Sequence, residues 1–215
     1  MLVTALGPGP VGRLAAGEVG RVGVQIVDTW AAGADLSVSA ITVLAGTGER
    51  SVVSRNAHDL TAVVPADLAD LVADADVMLI DGHHPDLALT AAQAARAIGV
   101  PVVLDCGSAK PVYAGLVPLA DAAVCSAGFT ASGCGGFDAV SAALLADGAR
   151  LVAMTAGAAP VRWRTREATG TVDVPSVTVR DTLGAGDVLH VGPRSWLDDQ
   201  RLAALVAGMG WPVSG

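Results

Sequence analysis

Between Pro65 and Gly157 the sequence cycles between two kinds of segment, and that cycle narrows the fold more than any other feature. Short apolar runs, DVMLIDG, VPVVLDCG, ADAAVCS and RLVAMTAG, alternate with the helical patterns PADLADLVADA, PDLALTAAQAARAIG and FDAVSAALLADGA. Gly99 closes the second of these helices. Parallel neighbouring strands need a crossover, usually helical, so the alternation predicts an α/β fold with a parallel sheet covered on both faces. Such sheets bind ligands at the carboxyl ends of their strands. At those ends stand Asp81-Gly82-His83-His84, Asp105-Cys106-Gly107-Ser108, Ser126 and Thr155-Ala156-Gly157.

The first third of the chain reads differently. LVTAL is strand-like, and VGRLAAGEVGRVGV has a helical pattern that Gly17 and Gly20 each weaken by roughly 1 kcal/mol relative to Ala. From Asp35 to Asn56, two β-rich runs joined by AGTGE predict a hairpin. No repeat, linker or low-complexity tract divides the 215 residues, so one domain is expected. Aromatic residues make up only 3% of a chain that is 52% hydrophobic, which leaves Ala, Val, Leu and Ile to build the core in closely spaced layers.

A formal net charge of −8 argues against a nucleic-acid or anionic-membrane partner, which clustered Lys and Arg would normally meet. An anionic small ligand could still be held by backbone amides. No apolar run is long enough to span a membrane and no signal peptide is evident, so a cytoplasmic protein is expected. Cys106, Cys125 and Cys134 are odd in number and lack CxxC spacing, which favours buried free thiols over disulfides and gives no zinc-site spacing.

The densest chemistry lies at Asp181-Thr182-Leu183-Gly184-Ala185-Gly186-Asp187, where a helix is expected to begin. Gly184 and Gly186 let backbone approach a ligand, and successive amides at a helix start form an anion hole backed by the helix dipole. Asp187 in the first turn would be kept ionised, a fitting state for a base. The same residues fit equally a turn followed by a capped helix, with Asp181 or Asp187 accepting from free amides.

This heptapeptide resembles the C-terminal signature of the ribokinase family, the PfkB carbohydrate kinases, Asp-Thr-x-Gly-Ala-Gly-Asp. LVTALGPGPVGRL is similar to the family's strand and glycine turn before an early helix, GTGERSVVS to its lid strands, GVPVVLDCGSAK to a mid-sheet strand, and MTAG to its nucleotide-side T-x-G. The resemblance covers roughly residues 1 to 190. It implies a ribokinase-like three-layer sandwich with a mostly parallel central sheet and a small β-hairpin lid at about residues 35–56, in a domain spanning 1–192, followed by a divergent tail at 193–215. It further implies ATP and Mg2+ as cofactors and a sugar or similar alcohol as acceptor. Asp187 would be the base, with Gly184, Ala185 and Gly186 as amide donors around the transferring phosphoryl group. Thr155, Gly157, Thr182 and Asp181 would lie on the nucleotide side, and an exposed lid could pair with a second copy as a homodimer.

The chain departs from the family at named places. Ser126 and Phe129 stand where relatives carry N-x-x-E, the element that organises magnesium through water, so no metal ligand is assigned. The sugar-holding glycine segment lies upstream of residue 1, and the family pattern stops after His190, so the fold is expected to be incomplete at both ends. Pro193 cannot donate to the carbonyl of Leu189, which ends or kinks the helix at a cost of about 3 kcal/mol. A shifted reading frame would produce such a tail. Three functions follow: a carbohydrate kinase, a catalytically inactive remnant that retains nucleotide or partner binding, and a nucleoside or vitamin-precursor kinase. His83 and His84 read as a polar loop before a ligand site, Lys110 as solvent-exposed before a phosphate contact, and Glu49 and Arg50 as a hairpin tip facing water.

Overall fold

The four apolar runs read from the sequence become strands that lie side by side in one sheet. The computed structural model describes residues 1–33, 35–44, 50–54 and 60–174. Asp181, Thr182, Gly184, Ala185, Gly186 and Asp187, the tail after Pro193 and Glu49 all lie outside the described residues. The described chain forms two compact units, Met1–Leu71 with His83–Ala91, and Val72–Gly82 with the residues from Ala92 onward.

In the first unit, β1 (Leu2–Thr4) and β2 (Ile26–Asp28) pair in parallel, Leu2 opposite Ile26 and Thr4 opposite Asp28, with α1 (Pro10–Arg21) as their crossover. Helix α1 forms despite Gly17 and Gly20, helped by a proline in its first turn, where the missing amide is harmless. The loop before it is shaped by two carboxylates. Asp28 accepts from the amides of Leu6 at 2.9 Å and Gly7 at 3.2 Å, and Asp35 accepts from Val11 and Gly12, both at 3.2 Å. Gly7 is at φ +80° beneath the Trp30 indole, where any Cβ would come within 2.9 Å of the ring. β3 (Trp30–Gly33) pairs antiparallel with β6 (Leu60–Ala62). β4 (Ala40–Val43) pairs antiparallel with β5 (Arg50–Val53), which is the hairpin expected between residues 35 and 56.

Helices α2 (Leu68–Ala73) and α3 (Pro85–Ile98) carry the chain between the units. In the second unit, β7 (Met78–Ile80), β8 (Val102–Cys106), β9 (Ala122–Ser126) and β12 (Leu151–Ala156) are parallel neighbours in that order, as the alternation predicts. β13 (Ala159–Arg164) and β14 (Thr169–Val172) extend the sheet antiparallel beyond β12. A short helix α4 (Tyr113–Leu116) and a single 3-10 turn separate β8 from β9, and α5 (Phe137–Ala146) separates β9 from β12. Between β9 and α5, β10 (Thr130–Ala131) and β11 (Cys134–Gly135) form a minimal hairpin. Its two turn residues, Ser132 at φ 52° and Gly133 at φ 76°, are both left-handed, as a type I′ turn requires.

The core of this unit is aliphatic. Val102, Leu104, Leu116, Val124, Val140 and Val152 are each at most 1% exposed. At the amino ends of the strands a buried carboxylate, Asp121, ties three segments together. It accepts from the Val102 amide at 3.0 Å, pairs with Arg150 at 3.0 Å and lies 3.7 Å from Arg96. Among the described residues no helix is long and apolar enough to cross a membrane.

Candidate functional site

The carboxyl ends of β7, β8, β9 and β12 present Asp81-Gly82, Asp105 to Ser108, Ser126 and Thr155 to Gly157 along one edge of the second unit, as the sequence places them. His83 and His84 follow in the chain and belong to the first unit. Thr155 is half-buried, with its hydroxyl 3.5 Å from the Cys125 carbonyl to which it donates. Gly157 is at φ +59° in the two-residue turn between β12 and β13, a geometry that favours glycine for its own sake. Nothing lies within 4 Å of where its Cβ would be, so the backbone there is open to a ligand.

Ser126 donates to the Gly107 carbonyl at 2.8 Å and so links the turns that leave β9 and β8. Phe129 is 2% exposed and packs edge-on against Tyr113, with ring centroids 5.8 Å apart. An apolar ring in the core supplies no oxygen to a metal or its water. Among the described residues no group of three or more His, Cys, Asp or Glu side chains could hold a metal ion. Ser126 and Phe129, the residues at the N-x-x-E positions, therefore do not fit Mg2+.

Two expectations are corrected here. Lys110 is half-buried, not solvent-exposed: its ammonium lies 5.4 Å from the centre of the Tyr113 ring and donates to the Tyr113 hydroxyl at 3.3 Å. Of the three cysteines, Cys106 and Cys125 are buried free thiols, whereas Cys134 is exposed because the β10–β11 hairpin carries it out of the core. Cys106 and Cys125 are register partners on β8 and β9. A hydrogen bond with Cys106, and then burial, push the Cys125 thiol well above its ordinary range, so it stays protonated.

Tyr113 was not singled out by sequence reasoning, because nothing in its neighbours marks it. Its hydroxyl lies 2.6 Å from the Asp105 carbonyl and 3.0 Å from the Asp81 carbonyl. Burial, and then the negative charge around it, that of Asp105 and Asp81 included, raise its pKa far beyond the ordinary phenol value, so it is a fixed neutral donor and no base.

A family model described as pfkB family carbohydrate kinase matches residues 1–206, past His190 where the family pattern read from the sequence stops. The chain belongs to that family. Solved structures agree on the fold of this pfkB-family chain. A protein from Agrobacterium tumefaciens presented as a ribokinase is 26% identical at a TM-score of 0.69, covering 87% of this chain. The fructokinase of Xylella fastidiosa, solved with bound ATP, is 21% identical at a TM-score of 0.69, covering 98% of this chain and 71% of its own. The ribokinase of Arabidopsis thaliana, solved with ribose and ATP, is 21% identical at a TM-score of 0.67, covering 87% of this chain and 65% of its own. The chain spans 63% of the length of the Agrobacterium protein. No curated protein matches it.

Proposed function

We propose that the chain transfers the γ-phosphoryl group of ATP to a hydroxyl of a sugar or sugar-like acceptor. The observation that carries this reading is the complete heptapeptide Asp181 to Asp187 inside the span matched by the family model. Phosphoryl transfer is mostly positioning and charge neutralisation, and an anion hole beside a carboxylate supplies two of its recurring parts. On this reading Asp187 takes the proton of the acceptor hydroxyl as its oxygen bonds to the γ-phosphorus. The bond from that phosphorus to the bridging oxygen breaks, and ADP leaves with the electron pair. The amides of Gly184, Ala185 and Gly186 neutralise charge on the transferring group. Thr182 and Asp181 steady the loop, and Thr155 and Gly157 lie toward the nucleotide. The Mg2+ that accompanies ATP would be carried by its phosphates. The free thiols of Cys106 and Cys125 suit a reducing, cytoplasmic setting. A second copy is the partner that best suits the β4–β5 hairpin, which exposes Ile41, Val43, Val52 and Val53.

The second reading, an inactive remnant that retains binding, is favoured by the buried Phe129 where relatives place a glutamate. ADP release coupled to a reporter enzyme, measured over a panel of sugars and nucleosides, separates the two. Acceptor-dependent release that falls about 10²- to 10⁴-fold in Asp187→Asn, at unchanged KM for ATP, is the expected result. ATP binding by calorimetry with no release for any acceptor would favour the remnant.

A further inference from the structure

The ladder between β7 and β8 ends at Ile80 opposite Leu104, and one residue further the two strands would part. There the Tyr113 hydroxyl replaces the ladder. It lies 3.0 Å from the Asp81 carbonyl and 2.6 Å from the Asp105 carbonyl, its one proton shared between them with the shorter contact taking the larger part. Lys110 donates to the same oxygen at 3.3 Å and lies over the ring, which holds the phenol in place from its open side. Tyr113 itself is 5% exposed and is braced from the β9 side by Phe129.

The chain leaving β7 is fitted to this ring. Gly82 is at φ +72°, and a Cβ there would come within 3.0 Å of Val112 Cγ1 and 3.3 Å of Tyr113 Cε1. The path of Asp81-Gly82 is thus set by contact with Val112 and Tyr113, and the path of Asp105 to Gly107 by the hydrogen bonds to Tyr113 and Ser126.

We propose that Tyr113, steadied by Lys110, is a positioning residue for the phosphoryl acceptor, fixing the turns that leave β7 and β8. The proposal rests on the phosphoryl-transfer reading above. With the nucleotide side at Thr155 and Gly157, on the end of β12, the ends of β8 and β7 lie two and three strand spacings away, about 10 and 14 Å. That is the side left for the acceptor, so the clamp acts on acceptor geometry and not on ATP. Because the phenol remains neutral, it acts without a pH dependence of its own.

Tyr113→Phe tests this, since it removes the hydroxyl and keeps the ring against Phe129 and Gly82. Amide hydrogen exchange at residues 81–82 and 105–108 should quicken about tenfold while β12 is unchanged. KM for the acceptor should rise about tenfold with KM for ATP held within about twofold. Lys110→Met, which keeps the stem over the ring, should shift both readouts in the same direction by a smaller factor, and serves if Tyr113→Phe fails to fold. Unchanged exchange at both turns would overturn the clamp. Equal increases in both KM values with a lowered melting temperature would overturn its acceptor role and leave a merely structural tyrosine. Absence of acceptor-dependent ADP release from the unsubstituted protein would instead refute the phosphoryl-transfer reading and with it the acceptor role, and the exchange data would still decide whether the clamp exists.

Discussion

The Asp35 carboxylate is worked by opposing forces. Removal from water pushes its pKa up, but the amides of Leu36, Val11 and Gly12, together with the charge of Arg13, hold it below the ordinary value of 3.8. A carboxyl whose folded-state pKa is depressed contributes stability above the unfolded value and loses it as pH falls through the folded value. Urea midpoints of the parent and Asp35→Asn should therefore differ by a constant amount at neutral pH and converge below about pH 3.8. A gap that persists unchanged into stronger acid would show that the α1 cap does not depend on ionisation. At the same scale, the thiols sort by environment. Iodoacetamide at neutral pH should modify Cys134 alone in the folded protein and all three cysteines after unfolding, because Cys106 and Cys125 are buried and Cys125 is held protonated. Modification of all three at one rate in the folded protein would contradict that ordering.

Asp121 decides the cohesion of the sheet at the element scale, since β8, β9 and β12 meet around it at their amino ends. Beyond its side-chain partners, its backbone amide donates to the Val102 carbonyl at 2.9 Å and its carbonyl accepts from Leu151 at 3.0 Å. Asp121→Ala would leave the Val102 amide buried without its carboxylate acceptor and would remove the ion pairs to Arg96 and Arg150, at a cost of about 2–3 kcal/mol. Urea unfolding measures it, and KM values should not move, because the proposed site lies at the opposite ends of the strands. A loss below about 0.5 kcal/mol would show the arginines to be freely solvated and the amide satisfied by water. The elements themselves were legible where a short, mostly apolar run stands between helical patterns, as in VVLDC and AAVCS, and where a helix ends on a glycine such as Gly99 at φ +79°. The β10–β11 hairpin was not, because two residues per strand carry no periodicity. The loop-shaping roles of Asp28 and Asp35 were hidden for another reason: their amide partners lie 21 to 24 residues away, and no local pattern encodes a long-range cap. Lys110 was misread as exposed because its contact with Tyr113 depends on how the chain turns after β8, which Gly107 and Pro111 leave open in the sequence.

At the scale of the whole molecule, the β4–β5 hairpin poses the largest energetic question. Two strands alone are marginal in water, and this pair exposes branched side chains. Ile41 and Val52 stand directly opposite one another, 40% and 50% exposed, with Val43 two residues along on the same face at 55%. A patch of this kind on a short sheet is relieved most simply by a second copy of the same patch, since a two-fold pairing matches apolar face to apolar face without a foreign partner. The chain should therefore sediment as a dimer whose fraction grows with concentration over the micromolar range. Val52→Asp places a charge in the centre of that face, beside Ile41, and should leave a monomer with an unaltered sheet in the second unit. If the substituted chain still dimerises at the same concentration, the hairpin is not the contact. If the parent is a monomer throughout, the apolar face is tolerated in water, and the burial argument for a homodimer fails.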